Sequence, residues 1–249
     1  WDEAQNRKVF GACYQEHGHN YFLEVALKGR VDPVTGMIIN LYDLKEIIAD
    51  VLEEFDHKHL NLDMPYFEHS IPTTENLAFV LWRKFQERPE TRDLHTIRLF
   101  EEDDLWVELT SPQTAKNTSQ SSEHPEPTEA SVTKRYSLSP GTLPEKDNPL
   151  GSHLLIDVTV SGPIEPPTGR TTDIVALDYL VNQNLLKRIN GKDPAQDPAF
   201  CSQPLSLFTL VQTLWPLLEP VSGGYLAKIA IQNQQETRVE YTGMPYRVS

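Results

Sequence analysis

Apolar positions change period along the chain, and the changes mark its elements. Leu41, Leu44, Ile47, Ile48, Val51, Leu52 and Phe55 recur at i, i+3, i+4 and i+7, which predicts an amphipathic helix with Asn40 as its N-cap. After "PTTEN", Leu77, Ala78, Leu81, Trp82 and Phe85 supply a second helical face, with Thr73 or Thr74 able to cap and Glu75 in the first turn. The run "TIRLFEEDDLWVEL" then predicts two strands around an acidic hairpin. Upstream, if residues 17–27 form a strand, His17, His19, Tyr21, Leu23, Val25 and Leu27 share one face.

The pattern repeats. "EVALKGRVDPVTGMIINLYDL" from Glu24 matches "DVTVSGPIEPPTGRTTDIVAL" from Asp157 without a gap, an internal duplication. Each copy predicts a β-alternating segment, a Pro and Thr-Gly turn, a short strand and a helix. Between the copies, residues 111–131 carry no aromatic residue and no Val, Ile, Leu or Met before Val132, so this stretch reads as a linker. The expected organisation is a domain over 1–110, a linker over 111–130 and a second domain over 131–249. Within a unit the order is β-β-α-α-β-β, an α+β arrangement that allows for one strand before the first copy.

Composition narrows the function. The 249 residues carry a formal net charge of -14, which argues against a nucleic-acid partner and a basic membrane-facing patch and leaves small polar substrates open. No apolar run approaches the roughly 20 residues that span a bilayer. Two cysteines, Cys13 and Cys201, are too few for a disulfide framework and fit a reducing, cytoplasmic setting. A chain that opens on Trp1 with neither methionine nor a signal-peptide pattern reads as a piece of a longer protein.

The stretch "CYQEHGHNY", residues 13–21, concentrates a thiol, a carboxylate and two imidazoles, a set that a buried core does not select. A catalytic zinc takes three protein ligands and leaves one position open; His17 and His19 supply two, and solvated or hydrogen-bonded histidines are the plain alternative. "FDHKHLNLD" places Asp56 and His57 directly after a helix, and Glu75 and Glu101 stand near element ends.

In order, "FGACYQEHGHNY", "VDPVTGMIINLYDLK", "FDHKHLN", "PYFEHSIPTTEN" and "RLFEEDD" resemble the 6-pyruvoyltetrahydropterin synthase and 6-carboxytetrahydropterin synthase family over about residues 1–110. The resemblance implies the tunnelling fold (T-fold): two tandem units, each an antiparallel four-stranded sheet with two helices on one face, the first strand lying upstream of Trp1 and residues 1–10 forming a loop. It implies a zinc-dependent lyase acting on 7,8-dihydroneopterin triphosphate, with His17 and His19 as zinc ligands and a third histidine on the strand before Trp1. Cys13 would be the general base, Asp56 would orient His57 as a proton shuttle, and Glu101, with Thr74 and Glu75, would hold the pterin. A homo-oligomer with sites between subunits is also implied.

The spacing Cys-x-x-x-His-Gly-His resembles the 6-carboxy enzymes of the deazaguanine (queuosine) pathway, whereas "PTTEN" and "FGAC" resemble the 6-pyruvoyl enzymes of tetrahydrobiopterin synthesis. Glu16, directly before His17, resembles a bifunctional branch that also forms 6-hydroxymethyl-dihydropterin for folate; a solvated loop glutamate is the alternative. Two readings of another class remain: a pterin-binding protein without turnover, and a structural T-fold pair.

The second copy is expected to keep the fold and lose the chemistry. Aligned through the duplication, Leu150 and Ser152 replace His17 and His19, Pro140 stands where the upstream histidine would be, and Lys146 replaces Cys13. Ile189 and Asn190 replace Asp56 and His57, and Glu75 and Glu101 fall opposite about Leu205 and Asn233. The apolar pattern persists in Leu154, Ile156, Val158 and Val160 and in Leu207, Leu210, Val211 and Leu214.

Overall fold

A computed structural model describes residues 2–15, 17–112, 126–141, 150–201, 204–221 and 223–243. Most of the linker, with Lys146 and Glu16, lies outside the described residues.

The chain divides into two compact units whose borders depart from the sequence domains. The N-terminal unit holds His19–Ala130 together with Pro163–Thr171; the C-terminal unit holds Trp1–Gly18, Ser131–Gly162 and Thr172–Ser249.

In the N-terminal unit, β1 (Phe22–Leu27), β2 (Leu94–Glu102) and β3 (Leu105–Thr110) form an antiparallel sheet in that order. Helices α2 (Leu41–Glu53), the single turn α3 (Leu60–Asp63) and α4 (Thr74–Gln86) lie between β1 and β2 in sequence. Asn40 caps α2 by accepting from the Tyr42 N–H at 3.0 Å, and Thr73 caps α4 by accepting from the Asn76 N–H at 3.3 Å. The helical face expected on α4 is the core: Leu77, Ala78, Leu81, Trp82 and Phe85 are buried against Ile97 and Leu99 of β2 and Val107 and Leu109 of β3. On the other side of the sheet, Arg98 bridges its cross-strand neighbours, 3.1 Å from Glu24 and 2.6 Å from Glu108.

In the C-terminal unit the strands β4 (Ala130–Leu138), β5 (Leu154–Gly162), β6 (Tyr225–Asn233) and β7 (Arg238–Tyr241) run in that order. The helices are α5 (Ile174–Val181), which passes through a π turn (Asn182–Leu186) into the short α6 (Lys187–Ile189), and α7 (Leu207–Leu218). Leu154, Ile156, Val158 and Val160 are fully buried beneath Leu210, Val211 and Leu214, as their spacing requires. On the alternate positions of β5, Asp157 and Thr159 are buried as well but polar, and each is paired: Thr159 with Thr133 at 2.8 Å, and Asp157 with Arg135 at 2.6 Å and Arg238 at 3.0 Å. Leu150 and Ile189 are core residues, and the Asn233 side chain accepts the Gln235 and Thr237 N–H groups of the β6–β7 turn.

Three expectations are corrected. Residues 1–10 are not a loop: α1 (Glu3–Phe10) is closed by a capping box in which the Asp2 carboxylate accepts the Gln5 N–H and the Gln5 side chain accepts the Asp2 N–H. The segment after each Thr-Gly turn is not a strand; bends lead straight to the helix caps Asn40 and Asp173. The strand after the histidines begins only at Phe22, so His17 and His19 precede it and do not share a strand face.

The last border effect has a local cause. The turn Pro163–Thr171 belongs by sequence to the second copy, yet Thr73 Oγ1 donates to the Gly169 carbonyl at 2.5 Å and the Thr171 N–H donates to Glu75 Oε1 at 3.1 Å. Gly169 has φ +68°, and a Cβ there would lie 2.7 Å from Asn76 Nδ2, so only glycine fits.

Candidate active site around Glu101

The clearest convergence of polar groups lies where β2 ends and α4 begins. Parity along β2 puts residue 101 on the same side as the buried Ile97 and Leu99, toward the helices. The register with β3 slips between Phe100 and Glu102, so Glu101 is an extra residue in an irregular step, a device that re-aims a side chain at a strand end. Its carboxylate accepts from Thr74 Oγ1 at 2.5 Å and lies 3.7 Å from His19 Nε2. The Tyr21 hydroxyl comes within 3.5 Å of the same Thr74 oxygen, and its ring stands 5.5 Å from that of His19. Burial pushes the Tyr21 hydroxyl up to about 12, so it stays a neutral donor.

Glu75, one residue on from Thr74, is buried. Desolvation raises its pKa, while its own N–H, the Thr171 N–H and the Arg170 guanidinium act in the opposite direction; the nearby Glu101 adds to the rise. A raised carboxyl pKa beside a second carboxylate makes this helix start a candidate site.

Asp56 and His57 form a pair, His57 Nδ1 2.9 Å from Asp56 Oδ2, exposed just past the C-terminal end of α2, with His57 in the left-handed region at φ 55°. Cys13 lies in the 3-10 turn Gly11–Tyr14, and His17 Nδ1 is 2.6 Å from the Gln15 carbonyl; both belong to the C-terminal unit. Two residues of the second copy not expected in any site are His153, 3.4 Å from Ser137 Oγ, and Cys201, which is exposed. Residues that sequence reasoning missed are Tyr21, which was read only as a strand position, and Arg170 and Thr171, whose proximity to Glu75 has no signal in local sequence.

His17 and His19 are donors of the right kind for zinc, but two are one short of a catalytic zinc's usual three. Among the described residues no group of three or more His, Cys, Asp or Glu side chains is placed to hold a metal ion. No described helix is long and apolar enough to cross a membrane.

Residues 3–112 match the family model described as 6-pyruvoyl tetrahydropterin synthase. The chain is 42% identical over 104 residues to a 6-pyruvoyl tetrahydrobiopterin synthase of Poecilia reticulata, covering 71% of that protein and 41% of this one. The chain belongs to the 6-pyruvoyl tetrahydropterin synthase family. The human 6-pyruvoyl tetrahydrobiopterin synthase is 38% identical over 104 residues, with 72% of it and 41% of this chain covered. A putative 6-carboxy-5,6,7,8-tetrahydropterin synthase of Archaeoglobus fulgidus is 33% identical over 97 residues, 77% of it and 39% of this chain. The solved 6-pyruvoyl tetrahydropterin synthase of Caenorhabditis elegans shares 33% identity over 41% of this chain and 76% of its own, with a TM-score of 0.40. Glu101, Thr74, Glu75, His19 and Tyr21 all fall within the family match, whereas Arg170 and Thr171 fall outside it.

Proposed function

We propose that the chain is a zinc-dependent pterin synthase that takes 7,8-dihydroneopterin triphosphate as substrate. The observation that carries this reading is the Glu101 carboxylate, held by Thr74 beside the buried Glu75. A pterin's 2-amino and N3–H groups form two parallel donors, and a fixed carboxylate accepts both in the geometry it uses with a guanidinium. Glu101 binds the pterin edge, Thr74 fixes the carboxylate rotamer, and Glu75 anchors the start of α4.

Cys13 takes a proton from the substrate side chain and is the general base; a thiol serves this role when neighbouring cations lower its pKa from about 8.5. Asp56 orients His57, which moves the second proton. His17 and His19 supply two imidazoles to the zinc, which would lower the pKa of substrate hydroxyls bound to it. Among the described residues no third such side chain is grouped with this pair.

The Cys13 spacing supports 6-carboxytetrahydropterin as the product, with 6-hydroxymethyl-dihydropterin as a side product dependent on Glu16. A second reading, 6-pyruvoyltetrahydropterin formed by triphosphate elimination, is favoured by the names of the more similar relatives. Chromatography of the products formed from dihydroneopterin triphosphate separates these readings. Cys13→Ala is expected to lose the carboxy- or pyruvoyl-forming activity by about 100-fold or more, consistent with a general base, while keeping its zinc content. Full activity in that variant overturns the assignment, and pterin binding without any turnover by the unaltered protein favours a non-catalytic role.

A homo-oligomer is part of the same reading. Strand β1 pairs with β2 alone among the described strands, and Phe22 and Val34 are exposed at 61% and 92%. Light scattering of the protein should give a multiple of the chain mass; a monomer at working concentration overturns it.

A further inference from the structure

The turn Pro163–Thr171 sits against the same helix start that holds Glu101. Its backbone is fixed twice over: internally, the Gly169 N–H donates to the Glu165 carbonyl at 2.7 Å and the Glu165 N–H to the Arg170 carbonyl at 2.9 Å, and externally it is latched to Thr73 and Glu75. Two polar groups result. Arg170 is half-buried with its guanidinium acting on Glu75, and Thr171 is fully buried with a hydroxyl that has no hydrogen-bond partner in the structure. A buried hydroxyl left unpaired costs about 1–3 kcal/mol, a cost that an acceptor brought beside it would recover. In the gapless match of the two copies, Arg170 stands where the first copy has Met37, and Thr171 where it has Ile38. The second copy has exchanged two apolar side chains for two donors at the point where it meets α4.

We propose that Arg170 and Thr171, supplied by the second copy, complete the pterin pocket of the first by donating hydrogen bonds to the 4-oxo oxygen of the bound ring. This rests on the reading of Glu101 as the carboxylate that takes the amino-pyrimidine edge. That edge continues past N3–H to an acceptor, the 4-oxo group, so a site that reads it in full needs a carboxylate and, beside it, a donor. Glu101 supplies the first; Arg170 and the unpaired Thr171 hydroxyl lie beside Glu75, on the same helix start. Specificity follows from the chemistry: a 2-amino-4-oxopteridine satisfies both donors, whereas a 2,4-diaminopteridine presents an N–H group to them.

The test is a fluorescence titration of the full chain with neopterin, which carries no phosphate, and with a 2,4-diaminopteridine. The chains are the unaltered protein and the variants Arg170→Met, Arg170→Lys, Thr171→Val and Glu101→Gln. Arg170→Met and Thr171→Val are expected to weaken neopterin binding about tenfold or more, in line with loss of a hydrogen bond to a charged or buried group, and to leave the diaminopteridine unchanged or tighter. Arg170→Lys should recover part of the loss. Thr171→Val preserves shape, so a native circular dichroism spectrum for that variant guards against an effect of misfolding. If Arg170→Met and Thr171→Val both bind neopterin within about twofold of the unaltered chain while Glu101→Gln does not, the proposal is wrong and the reading of Glu101 stands. Neopterin binding that survives in Glu101→Gln, or is absent from the unaltered chain, removes the reading of Glu101 and the proposal with it.

Discussion

Glu101→Ala is expected to weaken pterin binding by two orders of magnitude or more. The carboxylate offers two charge-assisted hydrogen bonds, each contributing about 1.5–3 kcal/mol, and tenfold in affinity corresponds to about 1.4 kcal/mol. Truncation also leaves the Thr74 hydroxyl without the acceptor it meets at 2.5 Å. Thr74→Val, which keeps the carboxylate but frees its rotamer, should lose less, so the pair of titrations separates the contact from its orientation. Equal affinity in Glu101→Ala and the unaltered protein would move the pterin site away from the end of β2.

Phe85→Ala should produce the largest loss of stability among single changes in the N-terminal unit, about 3–5 kcal/mol. Phe85 is fully buried at the last turn of α4, packed with Leu81 and Trp82 in the layer between that helix and the sheet. Deleting the ring leaves a cavity that flanking side chains cannot fill without moving a strand, because interiors are close-packed. Natural domains are stable by only about 5–15 kcal/mol, so this is a substantial fraction. Urea unfolding measures it, and a loss of unfolding free energy below about 1 kcal/mol would show that the layer is looser than its burial implies.

Much of this architecture was readable from period alone. Seven apolar positions in residues 41–55 gave α2, five gave the buried face of α4, and the acidic pair Asp103 and Asp104 marked the β2–β3 turn. Those elements bury a face, and burial is what writes a period into sequence. Helix α1 escaped because "EAQNRKVF" buries no residue; a polar helix closed by its capping box has no stripe to detect. The histidine segment was misjudged because strand parity was extended five residues upstream of the first ladder pair, Phe22 with Phe100. Within the candidate site, Thr74, Glu75 and Glu101 could be named from motifs, but their convergence depends on the register slip at Glu101, which no local signal encodes. Arg170 and Thr171 were invisible for a simpler reason: the Thr171 to Glu75 contact spans 96 residues of chain.

That separation also has a consequence in time. During synthesis the α4, β2 and β3 segments leave the ribosome well before residue 171 has been made, and at about 5–20 residues per second the delay amounts to several seconds. For that interval Glu75 has neither the Thr171 amide nor the Arg170 charge beside it. The N-terminal unit therefore reaches its finished form only after the chain has moved on to the next one; a pause between residues 112 and 163 would prolong, and a truncation there would make permanent, a state with the helix–sheet layer in place and the helix start unlatched.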